Sequence, residues 1–105
     1  MVQALEKEDI EDMKTSGETW VIDFWAEWCG PCKQFSPIFE EVSEDYGGDG
    51  VNFGKVDMEE NQEVGTSMGV RALPTCMILK GGEEVARKSG AMSEQEFRDF
   101  LEENV

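Results

Sequence analysis

The sequence predicts an α/β sandwich in which one mixed β-sheet carries helices on both faces. Three observations support this fold class. The run Trp20-Val21-Ile22-Asp23-Phe24-Trp25 has strand length and contains a single acid, which is typical of a central strand covered on both sides. The segment that follows changes to a helical period. After it come a second strand, a hairpin and a final helix.

Two helices are predicted around the central strand. Residues 6–14 form a short acidic helix, with Ile10 and Met13 at helical spacing. The long second helix has its apolar stripe at Phe35, Ile38, Phe39, Val42 and Tyr46. The segment Gly47-Gly48-Asp49-Gly50 is expected to end this helix.

The second half of the chain is predicted to complete the sheet. Its elements are a strand from Val51 to Asp57, a helical turn between residues 59 and 68, a strand from Thr75 to Lys80, a turn at Gly81-Gly82 and a strand from Glu83 to Ser89. A final helix is expected after Ser93, because Ser93 and Glu96 fit a capping box and Met92 and Phe97 fit a hydrophobic staple. Its inner face is expected to consist of Phe97, Phe100 and Leu101.

Length and charge restrict the organisation and the partners. The chain has 105 residues, so a single domain over residues 1–105 is expected, and we expect a monomer. Nine basic residues against 24 acidic ones give a formal net charge of −15. This charge repels phosphate backbones and anionic lipid surfaces, which argues against nucleic acid and membranes as partners. Adaptation to a saline cytoplasm is one explanation of this acidic composition, and the sequence does not decide it.

The first residues and the hydropathy pattern predict the compartment. The segment Met1-Val2-Gln3-Ala4-Leu5-Glu6 contains neither a basic region nor an apolar stretch. No window reaches the roughly 18 consecutive apolar residues of a membrane span. We therefore expect a cytoplasmic protein.

Three cysteines and no histidine restrict the chemistry. An odd cysteine count argues against a secreted disulfide framework. A closed zinc site takes four ligands, so here a carboxylate or a second chain would have to complete it, and no metal site is expected. Without histidine, Ser-His-Asp and Cys-His catalysis are excluded within the chain. Redox chemistry or plain burial remains for the cysteines.

The motif Cys29-Gly30-Pro31-Cys32 lies between the central strand and the long helix. Residues three apart share a helix face, so the two sulfurs can approach within bonding distance. At the helix start, Cys29 would lie near unpaired N–H groups and the positive end of the helix dipole, which favours thiolate over thiol. Pro31 loses no hydrogen bond in a first turn, and Gly30 leaves the approach to the sulfur open. Half a zinc site, or a chance pair, is the alternative, and the shortage of ligands disfavours the zinc site.

The segment Phe24-Trp25-Ala26-Glu27-Trp28-Cys29-Gly30-Pro31-Cys32-Lys33 closely resembles the active-site segment of thioredoxins. Further matches span essentially all 105 residues: Asp23 as the buried acid, Pro37 at the bend of the long helix, Lys55-Val56-Asp57 at a strand end, Leu73-Pro74-Thr75 as the cis-proline segment and Gly90-Ala91 as the late substrate-facing loop. The resemblance implies the thioredoxin fold, a three-layer α/β/α sandwich with a central mixed sheet. It also implies a protein-disulfide reductase with no cofactor beyond a Cys29–Cys32 disulfide.

The resemblance assigns roles at the redox site. Cys29 would attack a client disulfide, and Cys32 would resolve the mixed disulfide after giving its proton to Asp23. Asp23 is also a lone acid in an apolar strand, so burial should raise its pKa, although a structural hydrogen bond is the alternative. Lys55 has the parity of the apolar positions in its strand and would tune Asp23 by its charge. Asp57 shares that parity, so an ordinary surface lysine stays an alternative.

The resemblance further implies a flat apolar surface on which clients dock, next to a cis peptide bond before Pro74. Its members would be Trp28, Gly30, Pro31, Leu73, Pro74, Gly90 and Ala91. Trp25 and Trp28 could instead be core aromatics. The expected partners are disulfide-containing client proteins and a thioredoxin reductase, because no nucleotide-binding fingerprint is present in the chain.

Two other functional classes remain as alternatives, and the role of one cysteine is undecided. A non-catalytic adaptor would use the same surface, and a disulfide oxidase or isomerase would share the fold with a different redox poise. By resemblance, the Gly30-Pro31 pair favours the reductant. Cys76 stands where the family usually has an aliphatic residue, so we expect a small buried hydrophobe, with a regulatory thiol as the alternative. The methionines expected to fill the core and its edges are Met58, Met68, Met77 and Met92.

Overall fold

The computed structural model describes residues 2–46 and 50–105. Along these residues the elements are β1 (Val2–Ala4), α1 (Lys7–Ser16), β2 (Thr19–Trp25), α2 (Gly30–Asp45), β3 (Val51–Asp57), α3 (Gln62–Ser67), β4 (Thr75–Lys80), β5 (Glu83–Ser89) and α4 (Glu94–Asn104). The helix stop expected at residues 47–50 lies outside the described residues except for Gly50. Among the helices of the described ranges, none has the length and apolarity needed to cross a membrane.

The strands form one mixed sheet in the order β1-β3-β2-β4-β5. β1 and β2 run parallel to β3, while β4 runs antiparallel to β2 and β5 antiparallel to β4. β2 is therefore central, as its apolar sequence predicted. Its register places Asp23 opposite Lys55 of β3 and opposite Cys76 of β4. These three side chains form one row on one face of the sheet.

Helices cover both faces of the sheet, so the predicted three-layer arrangement is confirmed. The face under α2 and α4 buries Val21, Phe35, Phe39, Val42, Phe53, Cys76, Ile78, Met92, Phe97 and Leu101. The face under α1 and α3 buries Leu5, Ile10, Met13, Trp20, Ile22, Phe24, Val56, Val64, Val70, Met77 and Leu79. Ring contacts join the two helices of the first face, with the centroids of Phe35 and Phe97 at 5.1 Å. This packing fixes the start of α2 over the sheet.

Local signals predicted the helix ends and turns correctly in most places. The capping box of α4 is present, since Glu96 N–H donates to Ser93 Oγ at 3.1 Å and Ser93 N–H donates to Glu96 Oε1 at 2.9 Å. Gly81 and Gly82 turn β4 into β5 with φ of 59° and 80°. Met77 and Met92 are buried and Met58 and Met68 are partly buried, as expected.

One strand was not predicted. β1 has three residues, and two of them are exposed, so it carries no periodic signal. It pairs with β3, whose residues lie about fifty positions away in the sequence; Val2, for example, pairs with Phe53. The helical turn expected between residues 59 and 68 is present as α3.

Candidate active site

Cys29 and Cys32 are joined by a disulfide at the start of α2, with their Cα atoms 5.3 Å apart. Cys29 is the N-cap residue, and its sulfur accepts a hydrogen bond from the backbone N–H of Cys32 at 3.2 Å. Pro31 lies in the first turn, where its missing N–H costs no helix hydrogen bond. The helix start therefore holds both sulfurs and directs a donor at Cys29. This geometry favours negative charge on that sulfur once the disulfide is reduced.

The disulfide lies at the edge of the core. Cys29 is 5% exposed and Cys32 is 1% exposed, so Cys29 is the more accessible of the pair. Both pack with Ala26, and Trp25 and Leu73 contact this cluster from its edge. A Cβ atom at Gly30 would meet nothing within 4 Å, so the space beside the disulfide is open at that residue.

Asp23 is fully buried under the α2 side of the sheet. Neither carboxylate oxygen has a hydrogen-bond partner among the described residues, so the alternative of a structural hydrogen bond finds no support there. Burial raises the pKa of this carboxyl from 3.8 to about 7, and the charge of Lys55 opposes part of that rise. A carboxyl with this pKa can take and return a proton near neutral pH.

Lys55 is held by α2 and by a tryptophan ring. Its Nζ donates a hydrogen bond to Ser36 Oγ and lies 4.0 Å from Glu40 Oε1. The same atom lies 5.4 Å from the centroid of the Trp25 ring. Because the side chain is only 20% exposed, Lys55 is not an ordinary surface lysine. Within the described ranges it makes no ion pair with Asp23.

The loop before β4 contains a cis peptide bond between Leu73 and Pro74, as expected from the resemblance. Leu73 packs against the cysteine cluster, which brings this loop beside the disulfide. The N–H of Gly90 donates to the Pro74 carbonyl at 2.8 Å, so the loop after β5 is fixed to it. Thr75 strengthens the same corner, since its hydroxyl donates to the carbonyl of Ala72 at 2.6 Å.

The residues expected in the docking surface differ in exposure. Trp28 is 72% exposed, so it is not a core aromatic. Gly30, Pro31, Gly90 and Ala91 are also exposed, Leu73 is half-buried and Pro74 is buried. Trp25 is half-buried under the Lys55 ammonium. Pro74 therefore lies beneath this surface, with its carbonyl accepting from Gly90 N–H.

In the part of the chain that the structure describes, no three His, Cys, Asp or Glu side chains are placed to hold a metal ion. Cys76, the third cysteine, is 1% exposed and unpaired within the sheet. It lies in the row with Asp23 and Lys55 described above.

A family model described as Thioredoxin matches residues 2–103. The chain belongs to the thioredoxin family. It is 39% identical over 95 residues to the thioredoxin of Buchnera aphidicola, covering 90% of this chain and 87% of that protein. It is 42% identical over 85 residues to the thioredoxin of Pseudomonas aeruginosa, with coverages of 81% and 78%. The crystal structure of Malassezia sympodialis thioredoxin superposes with a TM-score of 0.90 at 33% identity, covering 99% of this chain and 90% of that chain.

Thioredoxins are dithiol–disulfide oxidoreductases, and the Cys-X-X-Cys pair that they use is present here as the Cys29–Cys32 disulfide. The protein is therefore a thiol–disulfide oxidoreductase with the thioredoxin fold. Members of the family act on disulfide substrates and are recharged by a thioredoxin reductase. Their redox chemistry needs no cofactor beyond the cysteine pair.

Ser36 and Glu40 of α2 were not predicted as part of the site. Ser36 lies four residues after Cys32, so helical spacing places both on one face of α2. This spacing could have placed Ser36 near the site from the sequence. The contact of Ser36 with Lys55 was not visible, because it depends on how α2 packs over β3.

Proposed function

We propose that this thioredoxin is a general protein-disulfide reductase that acts as a monomer in the cytoplasm. The observation that carries the proposal is the Cys29–Cys32 disulfide at the start of α2, with the Cys32 N–H directed at the Cys29 sulfur. This arrangement supports Cys29 as the nucleophile, with Cys32 beside it to resolve the product.

The cycle begins with the reduced dithiol. The Cys29 thiolate attacks one sulfur of a client disulfide, forming a mixed disulfide, and the other client sulfur leaves and is protonated. The Cys32 thiol then loses its proton and attacks the Cys29 sulfur, so the second client thiol leaves. Two electrons have passed to the client, and the protein carries the Cys29–Cys32 disulfide. A separate thioredoxin reductase then supplies two electrons and two protons, which return the Cys29–Cys32 disulfide to the dithiol.

Asp23 is the acceptor for the Cys32 proton in this proposal. Its buried carboxyl, without a hydrogen-bond partner in the described ranges, and its pKa of about 7 support the assignment, because such a group is ionised often enough to act as a base near neutral pH. Lys55 lies next to Asp23 in the sheet and adjusts this proton affinity by its charge.

Clients dock on the surface around the disulfide. Trp28 supplies the exposed apolar anchor, and the backbone of the loop at Leu73, before the cis peptide bond, pairs with an extended client segment. Gly30, Pro31, Gly90 and Ala91 complete this surface because they are small or flat and leave room for the client backbone.

Location and assembly follow from charge and thiol chemistry. A dithiol reductant is useful where thiols are kept reduced, which favours the cytoplasm. The net charge of −15 opposes association of identical chains, so we expect a monomer. Analytical ultracentrifugation would measure the oligomeric state. The same charge disfavours nucleic acid and membranes as partners.

Reduction of insulin by dithiothreitol, followed by turbidity, tests the proposal. Cys29→Ser and Cys32→Ser should each abolish the acceleration. Cys76→Val, which removes a sulfur outside the pair, should retain it. Wild-type activity in Cys29→Ser would refute the assignment.

Two measurements separate the other functional classes. A reduction potential near the value of about −270 mV typical of thioredoxin supports a reductant, whereas one near about −120 mV would indicate an oxidase. A Cys32→Ser variant should trap clients on Cys29 as mixed disulfides. Full cellular activity of a variant with both cysteines replaced by serine would favour the adaptor.

A further inference from the structure

The Lys55 ammonium and the Asp23 carboxylate are neighbours that do not pair. Their Cα atoms are register partners on one face of the sheet, and a lysine side chain is long enough to reach an adjacent carboxylate. Among the described residues, both Asp23 oxygens nevertheless lack a partner. Lys55 Nζ instead donates to Ser36 Oγ, with Glu40 at 4.0 Å on the next turn of α2.

We propose that Ser36 is a positioning residue of the redox site, whose hydroxyl holds the Lys55 ammonium against α2 and so prevents it from pairing directly with Asp23. The proposal deepens the function proposed above and rests on it only for the catalytic consequence. The position of the ammonium and the charge state of Asp23 are properties of the folded protein that can be measured without turnover.

The surroundings of Asp23 make Lys55 the charge that matters. Besides burial, the charge that shifts the pKa of Asp23 is that of Lys55 on β3. Cys76 of β4 is the register partner of Asp23 on the other side, and α2 carries Glu40 beside Lys55 and the two cysteines at its start. Burial, and secondarily the Asp23 charge, raise the pKa of Cys76 well above its usual value, so this thiol is neutral at pH 7. In the oxidised protein the two cysteines of α2 are bonded to each other and do not titrate. Within the described residues, Lys55 is therefore the charged neighbour that can change the proton affinity of Asp23.

Removing the Ser36 hydroxyl should release the ammonium toward Asp23. Two anionic acceptors would then compete for it. Glu40 is 59% exposed, so solvent can hydrate it, whereas Asp23 is buried and has no partner in the described structure. Pairing with Asp23 therefore satisfies two groups that are otherwise costly to leave unpaired in the interior. An ammonium within about 4–6 Å of a carboxyl lowers the pKa of that carboxyl by about 1–3.

The catalytic consequence follows from proton affinity. An Asp23 carboxylate stabilised by a direct ion pair is a weaker base, so it takes the Cys32 proton less readily. Ser36 thus keeps the acid in the range where it can exchange protons at neutral pH. Alanine is a good helix residue, so Ser36→Ala should leave α2 intact.

The test is a titration of Asp23 in the oxidised protein, followed by NMR through the chemical shift of its carboxyl carbon. In Ser36→Ala its pKa should fall by about 1 unit or more. Ser36→Thr keeps the hydroxyl and should retain the wild-type value. Ser43→Ala is the matched control, since Ser43 lies on the same helix but its hydroxyl donates to the carbonyl of Glu40 at 2.6 Å and not to Lys55.

A second background tests the route through Lys55. In Lys55→Met no ammonium is present, so adding Ser36→Ala should leave the pKa of Asp23 unchanged. An unchanged or raised pKa in the single Ser36→Ala variant, or an equal fall in the Lys55→Met background, would overturn the proposal. A lowered pKa without a matching shift in the pH profile of the resolving step would leave the positioning intact and instead refute Asp23 as the base.

Discussion

Asp23 and Cys76 are directly opposed across β2 and β4, and both are almost completely buried. Burial raises the pKa of the Cys76 thiol, and the negative charge of Asp23 raises it further. The thiol is therefore kept protonated and shielded. This supports the expectation that Cys76 is a small buried hydrophobe and disfavours a regulatory thiol.

Thiol labelling tests that role of Cys76. In the reduced native protein, iodoacetamide should modify Cys29 and leave Cys76 unmodified, because the reagent needs an accessible thiolate. After unfolding in guanidinium chloride, all three cysteines should react. Peptide mass spectrometry distinguishes the sites. Labelling of native Cys76 at the rate of Cys29 would contradict the buried role.

The pH dependence of stability reports the protonation of Asp23. The folded protein holds this proton up to a pKa of about 7, whereas the unfolded chain releases it near 3.8. Between these values the unfolded state binds fewer protons, so this carboxyl lowers the free energy of unfolding as the pH rises, and the full penalty is present above the folded pKa. A tenfold change in proton affinity corresponds to about 1.4 kcal/mol, so the penalty is on the order of 4 kcal/mol.

Asp23→Asn has similar size but cannot ionise, so it isolates this contribution to stability. Relative to the wild type, the variant should gain stability between pH 4 and pH 8, by on the order of 4 kcal/mol in total. Urea unfolding at several pH values measures the difference. A constant difference across this range would show that Asp23 is already ionised in the folded protein at low pH.

The same variant tests the proton transfer. If Asp23 accepts the Cys32 proton, Asp23→Asn should slow the resolving step at pH 7 by on the order of 10²-fold, the lower end of the usual contribution of a general base. The mixed disulfide should then accumulate in rapid-quench experiments with a protein disulfide. The difference in the rate of the resolving step between variant and wild type should become smaller at high pH, where hydroxide removes the Cys32 proton. An equal rate difference at every pH would indicate a structural effect of the substitution.

Trp28 is expected to contribute to client binding and not to stability. Its side chain is mostly exposed, so Trp28→Ala should change the free energy of unfolding by less than about 0.5 kcal/mol. The KM for a protein disulfide should rise about tenfold with little change in kcat, because an apolar anchor is lost. Val85→Ala on β5, 46% exposed and outside the proposed surface, is the control and should leave KM unchanged. Unchanged KM in Trp28→Ala would remove Trp28 from the docking surface.

The cap of α4 makes a measurable contribution to stability. Ser93→Ala removes the hydroxyl that accepts from Glu96 N–H and should cost about 1 kcal/mol. Ser93→Thr retains the acceptor and should recover most of the loss. Denaturant midpoints at pH 7 provide the comparison. Equal midpoints for wild type and Ser93→Ala would mean that α4 is held by its packing alone.

Local pattern was sufficient for most of the fold and for the cysteine pair. β2, α2 and the hairpin are each encoded by the spacing of nearby apolar residues, and the spacing of Cys29 and Cys32 on a helix start predicts their contact. β1 was missed because three residues with two exposed positions carry no period, and its partner lies in β3. Recognising it required the tertiary structure.

The polar surroundings of Asp23 were less accessible to prediction. Strand parity correctly placed Lys55 on the same face as Asp23. It did not show that the ammonium bonds to Ser36, because that contact joins residues 19 positions apart and depends on how α2 packs over β3. The absence of a partner for Asp23 among the described residues likewise depends on the whole neighbourhood.

The placement of the sulfurs has a practical consequence for handling this protein. Cys29 and Cys32 are bonded to each other, and the Cys76 thiol is enclosed between the sheet and its covering helices. A concentrated solution of the oxidised form therefore presents no thiol for cross-linking between molecules. Storage in air without reductant should leave single chains on a non-reducing gel.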